Sequence, residues 1–338
     1  MISETVVVST GFGVYRARNV DPGYLGYAMK GEEFIARVIA RSVGVSYPAI
    51  SADSIASERI FVPELVSTQI QIRQFLDRET AQIDALIAKQ EQLAKGLTEK
   101  LLGAMTHAVT RGLDDAIETK PVAVEWIQQI PVHWHISPVS RIGQVTLGKM
   151  LQPNPGSPTD VRTSYLRAAN VQPLGKLDLT TSKQMWVRPS EGAALSIRAN
   201  DVVVVEGGMG GFGRAALVKQ DVTDWVFQNS INRVRVVREY SPAFLAYTLI
   251  AAREAGFLHA ICAAVSMPHF TAEKLSQFRV PVPPFAEQSK IVRHLDRLSH
   301  QLDVLQAKTA ESIVLLKERR QALISAAVTG KIDVTGKV

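Results

Sequence analysis

Gly208-Met209-Gly210-Gly211-Phe212-Gly213 reads G-x-G-x-x-G and follows the apolar run Val202–Val205. In a dinucleotide site such a run joins a strand to a helix, and backbone N–H groups cradle the pyrophosphate. Only Arg214-Ala215-Ala216-Leu217-Val218 follows before Asp221, too little for a βαβ unit. Two readings stand: a tight turn between strands, or a glycine loop that brings backbone and Arg214 against a phosphate. His133-Trp134-His135 offers two imidazoles, but no third ligand stands at a recognisable spacing, so strand or turn positions are expected instead. Cys262, within the apolar Ala260–Val265, reads as a packed thiol. Neither a phosphate-binding G-x-x-x-x-G-K-[ST] loop nor a G-x-S-x-G elbow is present. The expectation is a binding protein with no catalytic, cofactor or metal residues of its own.

Composition points to the partner. The 338 residues carry 38 Lys+Arg against 32 Asp+Glu, a formal net charge of +6. From Pro131 to Phe285 there are 16 basic and 10 acidic side chains, so this one segment holds the whole excess. A basic domain between nearly neutral flanks suits a polyanion, although an ordinary soluble protein can share such a charge. The single cysteine excludes an internal disulfide and a multi-cysteine zinc site. No apolar run reaches the roughly 18–20 residues of a membrane span, and the first residues lack signal-peptide character, so a soluble cytoplasmic protein is expected.

The elements that must position such residues come in two copies. Gln69–Asp114 aligns with Gln288–Asp333 at an offset of 219, with 16 of 46 positions identical. Leu76-Asp77-Arg78 matches Leu295-Asp296-Arg297, and Ala108-Val109-Thr110 matches Ala327-Val328-Thr329. Upstream the similarity continues with one residue of slippage: Val62-Pro63 with Val282-Pro283, Pro48 with Pro268, Tyr27 with Tyr247, Pro22 with Pro242. The second copy has a long front part, about Trp126 to Arg238, and the first has almost none, so a truncated first copy is expected.

Ser67 to Thr110 has no proline and reads as one helix of roughly 66 Å. Near-heptad apolar residues, Ile72, Leu76, Ile83, Leu86, Leu93 and Leu97, recur in the second copy at Ile291, Leu295, Leu298, Leu302, Leu305, Leu316 and Leu323. Gln90 and Thr309 interrupt the seam. The pattern predicts an antiparallel coiled coil holding globular units apart, with dimerisation through another chain as the alternative. Strands are expected at Ser164–Val171, Asp201–Glu206, Ala215–Val218 and Asn232–Val237, the last half-buried by its Arg/Val alternation. Asp21-Pro22 and Ser241-Pro242 should open helices, and Thr271 should cap one through Gln277.

At four places the chain resembles the target recognition domains of type I restriction-modification specificity subunits. Tyr165-Leu166-Arg167-Ala168-Ala169-Asn170-Val171 resembles their YLR-ANV segment. Asp201 through Gly208, with Gly213-Arg214, resembles their GDVL…EGG…GR segment, Asn200 replacing the usual glycine. Phe227-Gln228-Asn229-Ser230-Ile231-Asn232-Arg233-Val234 resembles their FQN…R strand. Val282 through Gln288 resembles their PP-x-x-EQ opening to the long helix, and Trp126–Trp134 their lead-in. In the first copy that opening is degenerate, with Ser67-Thr68-Gln69.

The resemblance implies an α+β fold: recognition domains of mixed strands and short helices, joined by two long helices. It divides the chain into a first-domain remnant (1–64), a first spacer helix (65–111), a linker (112–130), a complete recognition domain (131–285), a second helix (286–328) and a tail (329–338). It implies double-stranded DNA, methyltransferase subunits and motor-nuclease subunits as partners, the helices setting the spacing between half-sites. S-adenosylmethionine, ATP and Mg would serve the partners. A second copy, or a separate fragment, would supply the missing recognition domain. Arginine suits guanine and Asn or Gln suits adenine, so the candidate DNA-contacting residues are Arg167, Asn170, Arg214, Gln228, Asn229 and Arg233. Tyr165 and Glu206 read as structural. Rival readings are a coiled-coil scaffold with general nucleic-acid affinity, a nucleotide-binding enzyme, and a silent or half-subunit fragment.

Overall fold

In the computed structural model, which describes residues 11–44, 48–208, 211–237, 239–262 and 269–334, the chain divides into two units. Residues 1–96 with 304–338 form the first, and 97–303 the second. The first unit begins with α1 (Pro22–Ala28), α2 (Glu32–Arg41) and α3 (Ala52–Ala56). Asp21 caps α1 by accepting from Tyr24 N–H, with Pro22 fixing the first turn. The proline-free stretch becomes α4 (Val66–Arg111).

The second unit opens with β1 (Thr119–Val124), β2 (Ile127–Pro131) and β3 (His135–Pro138). Then come α5 (Val139–Ile142), β4 (Gly143–Leu147), β5 (Val161–Leu166), β6 (Lys183–Val187) and α6 (Pro189–Ala194). The strands β7 (Asp201–Val205), β8 (Ala215–Leu217), β9 (Trp225–Phe227) and β10 (Ile231–Val236) follow. The unit continues through α7 (Pro242–Glu254), α8 (Phe257–Cys262), α9 (Ala272–Gln277) and β11 (Arg279–Val282). The last element, α10 (Phe285–Val328), starts in the second unit and ends in the first. Ser241 and Thr271 cap α7 and α9 through their hydroxyls. Among the described residues no helix is long and apolar enough to cross a membrane.

One antiparallel sheet has the order β4-β10-β7-β8, a second the order β6-β5-β9, and β11 pairs with β3. β7 is buried on both faces, as its unbroken valine run requires. Val202 and Val204 enter one core with Trp134, Phe244 and Leu295, while Val203 and Val205 enter another with Tyr165, Met185 and Phe227. β10 lies between β4 and β7, which corrects its half-buried assignment: Arg233 is as hidden as Val234. The expected strand from Ser164 ends at Leu166; Ala168–Asn170 forms a 3-10 turn instead. Asn200 takes a left-handed φ of 69°, which explains why asparagine can replace glycine there.

The long helices run antiparallel within each unit. In the first, Arg320 Nε reaches Asp84 Oδ1 at 2.9 Å, and Ile72 and Leu76 share a core with Ile324 and Val328. In the second, Leu101, Met105 and Val109 share a core with Ile291, Leu295 and Leu302. The buried seam of α4 passes through Gln69, Ile72, Leu76, Thr80 and Ile83. Leu86 and Leu93, expected in the seam, are exposed to solvent. Leu305 is exposed too, whereas Thr309 is buried with its hydroxyl donating to the Leu305 carbonyl.

The repeat is physical. Gln69 Oε1 accepts from Asp21 N–H (2.8 Å) and its Nε2 donates to the Pro63 carbonyl (2.7 Å). Gln288 does the same to Ser241 N–H (2.7 Å) and Pro283 (2.9 Å). Tyr27 donates to Asp77 at 2.8 Å, and Tyr247 to Asp296 at 2.6 Å. Pro268, matched to Pro48 in sequence, lies outside the described residues.

Candidate nucleic-acid interface

The glycine run joins β7 to β8, which pair antiparallel, with Val203 opposite Ala216. Strand β8, rather than a helix, follows Gly213, so the helix that a dinucleotide site opens at its last glycine does not form here. Met209 and Gly210 lie outside the described residues. Gly213 has a φ of 69°, which favours glycine, and a Cβ there would stand 2.7 Å from Leu258 Cδ1, so the leucine side chain would have to shift.

Beside this loop lies an open cleft of about 550 Å³. Arg167, Arg214, Gln172, Gln228 and Ser230 line it, with Gly207, Gly208 and Gly211 forming part of the wall. Three separate segments meet there because β5 and β9 are parallel neighbours and Gln228 N–H then donates to the Leu166 carbonyl at 2.9 Å. Gly148 packs directly on this junction; a Cβ would fall 2.2 Å from the Gln228 carbonyl oxygen. Arg214 Nη1 reaches the Val171 carbonyl at 3.4 Å. The Nε atoms of Arg167 and Arg214 are buried without a hydrogen-bond partner among the described residues. Among the described residues that line the cleft there are two arginines and no carboxylate. Such a site suits an anion or an electronegative base edge.

The six candidates therefore separate. Arg167, Arg214 and Gln228 come together in the cleft. Asn229 is half-buried outside its lining, with its N–H on the Lys149 carbonyl. Asn170 is fully buried: its Oδ1 accepts from Arg167 N–H, and its Nδ2 donates to Asp178 and Thr181 carbonyls. Arg233 is 3% exposed, donates to Ala194 and Ser196 carbonyls, and lies over the Phe227 ring. Burial pushes its guanidinium below the ordinary arginine value. Both of these hold the platform from beneath. Sequence reading had no way to see this, because a strand's partners on either side decide which face is wet.

Residues outside the six complete the surroundings. Gln172 and Ser230 join the cleft. Buried Asp201 grips Arg235 with both carboxylate oxygens, at 2.7 and 2.8 Å, which raises the guanidinium pKa. Glu206 is pushed above the ordinary carboxylate range by burial, and its backbone is held by Ser230 and Phe270. Glu191 binds Arg188 and Lys149, which together hold it down at about 2. His133 Nε2 donates to Glu287 Oε2 (2.9 Å), which also accepts from the Trp134 indole N–H (3.1 Å). The basic and acidic signals at these sites were visible; their pairing was not.

Residues 191–313 match the family model of the type I restriction modification DNA specificity domain. The match covers about a third of the chain, and over that segment the chain is similar to the specificity proteins of type I restriction-modification systems. Arg214, Gln228, Asn229 and Arg233 lie inside the matched span, whereas Arg167 and Asn170 precede it. Among relatives, the EcoBI specificity subunit of Escherichia coli is 39% identical over 80 residues, 23% of this chain and 17% of that one. The EcoKI specificity subunit of Escherichia coli K12 is 24% identical over 211 residues, 60% of this chain and 44% of that one. The chain thus spans less than half the length of either relative. A solved structure concerning assembly and conformational transition of a type I restriction-modification system superposes with a TM-score of 0.72 at 18% identity, covering 96% of this chain and 75% of that one. The HsdS subunit of Thermoanaerobacter tengcongensis gives 0.50 at 17% identity, covering 93% and 71%. These two likenesses establish the α+β fold with its long helices.

Proposed function

We propose that the second unit reads one half of a split DNA site for a type I methyltransferase, and that the chain does no chemistry itself. The carrying observation is the cleft: two arginines without a carboxylate, on a framework that matches the specificity-domain model. Arg167, Arg214 and Gln228 are the contact residues, with Asn229 at the margin. Asn170 and Arg233 fix the loops that present them. Residues 131–285 act as the recognition domain, and the helices dock the methyltransferase, with motor-nuclease subunits joining that complex. S-adenosylmethionine, ATP and Mg act on the partners.

The test is to co-express the chain with a type I methyltransferase subunit and map methylated adenines across the host genome. A split motif that disappears without this chain supports the reading. A stable complex that binds DNA with no preference over competitor overturns it. Arg214→Ala then identifies the contact. A base contact predicts a relaxed half-site and a loss of about 1–3 kcal/mol, and a phosphate contact a uniform loss with a salt slope reduced by about one. Unchanged affinity and preference would remove Arg214 from the site.

A further inference from the structure

In the second unit β11 is a two-sided strand. On its inner side the carbonyls of Arg279, Pro281 and Pro283 accept from the Trp126 indole, the Tyr240 hydroxyl and Gln288 Nε2. On its outer side it pairs antiparallel with β3, Val280 opposite Ser137 and Val282 opposite His135. Pro281 has no N–H and its carbonyl is engaged, so this ladder runs through Val280 and Val282.

Arg59-Ile60-Phe61-Val62-Pro63 is the same segment in the first unit, aligned with Arg279-Val280-Pro281-Val282-Pro283. Its inner side is satisfied in the same order. The Arg59, Phe61 and Pro63 carbonyls accept from Arg37, the Tyr24 hydroxyl and Gln69 Nε2. The outer side differs. Ile60 and Val62, which correspond to the ladder residues, make no backbone hydrogen bond to any described residue, and the segment is extended but in no sheet. Phe61 is 65% exposed and Val62 41%. Next to it a cavity of about 290 Å³ opens between Ala28, Gly31, Phe34, Ile60 and Val328. Val280 and Val109, the counterparts of Ile60 and Val328, are completely buried in a core that includes Ile127, Ile130 and Trp134 from the segment leading to β3.

We propose that Ile60–Val62 is an open strand edge that receives, in antiparallel pairing, a β3-like segment of another polypeptide. The occupant is an extended stretch with an apolar residue opposite Phe61, as Ile136 stands opposite Pro281, preceded by an apolar anchor that fills the cavity. A second copy of this chain is disfavoured, because its β3 is already paired and Val139 N–H beyond it is bonded to the Phe278 carbonyl. The anchor does not extend to a tryptophan like Trp126. Trp126 stacks on Phe278, and the counterpart of Phe278 is Glu58, paired with Arg37 and Arg41. The inference holds whether or not the second unit reads DNA.

The experiment pairs the full chain carrying Phe61→Cys with a synthetic peptide spanning residues 130–139, its cysteine placed at the Ile136 position, in a thiol–disulfide buffer. Peptide mapping by mass spectrometry reads the disulfide at position 61, separately from Cys262. The expected result is about tenfold more cross-link than with the cysteine moved to the Ser137 position, because a one-residue shift puts it on the other face. Val62→Pro, which removes an edge N–H, should abolish the cross-link while the thermal midpoint stays unchanged. Cross-linking indifferent to cysteine position, or none, overturns the proposal. Disulfide dimers of the chain that outcompete the peptide overturn its choice of occupant in favour of a second copy.

Discussion

Two regions built on one plan, the first unit and the second, keep the same polar pins and change what surrounds them. Gln69 and Gln288 tie the same two backbone groups, and Tyr27 and Tyr247 reach equivalent aspartates. Around these pins the chemistry is exchanged. Phe257 and Phe278 lie 6.2 Å apart in the second unit, and their counterparts Arg37 and Glu58 form an ion pair of 3.0 Å. The second unit uses Tyr240 for a hydroxyl and Phe244 for a ring, whereas Tyr24 alone serves both purposes in the first. Glu287 clasps His133 and Trp134, but its counterpart is Thr68. The difference teaches that buried backbone groups dictate their partners strictly, since an unpaired one is expensive. A cluster at a rim can be apolar or ionic, depending on how much of it stays wet.

The largest expected effect breaks the comparison where the second unit has something the first lacks. Asp201→Ala leaves the Arg235 guanidinium without its buried carboxylate and should destabilise the second unit by about 3–5 kcal/mol. A chemical denaturation curve should then separate into two transitions, and a single unshifted transition would show the pair to be dispensable. Next come the shared pins. Gln69→Ala and Gln288→Ala each strand a buried donor and a buried acceptor, so each should lower stability by about 1–3 kcal/mol. Similar losses in thermal melts would show that the two copies rest equally on this residue. Tyr27→Phe and Tyr247→Phe remove one hydroxyl to a carboxylate and should each have a smaller effect, about 0.5–1.5 kcal/mol.

The smallest concerns acid. Glu58 and Glu191 are both held below the ordinary carboxylate range, by Arg41 with Arg37 and by Arg188 with Lys149. A depressed carboxylate stabilises the fold fully above its unfolded pKa and loses that contribution as pH falls through the folded one. For Glu191 the window runs from the ordinary value of 4.5 down to about 2. The melting-temperature gap between the native chain and Glu191→Gln should be full at pH 7 and shrink steadily through that window. A gap independent of pH would mean that packing, not charge, is what the glutamate supplies.

Much of the fold was legible because its signals are local. The proline-free stretch, the Asp21-Pro22 and Ser241-Pro242 caps and the valine run of β7 each dictate their element within a few residues. The repeat was legible because it preserves Gln, Tyr and Asp at fixed offsets. The short strand β3 was not, since it is defined by the distant β11 rather than by its own pattern. In the candidate site, Arg167, Arg214 and Gln228 were named from motif segments, but Gln172 carries no such signal. Asn170 and Arg233 share residue types with the side chains that line the cleft, and only the fold shows that their hydrogen bonds point inward.

The double burial of β7 has one more consequence. Its odd and even valines belong to different cores, one shared with the helices and one beneath the cleft. Neither core can open while that strand stays in place, so the cleft loops and the helix ends of the second unit should lose amide protection from solvent deuterium together, as one cooperative block. Substitutions that reshape the cleft without disturbing either core are thereby confined to the loops, because a change within the strand would be felt on both sides at once.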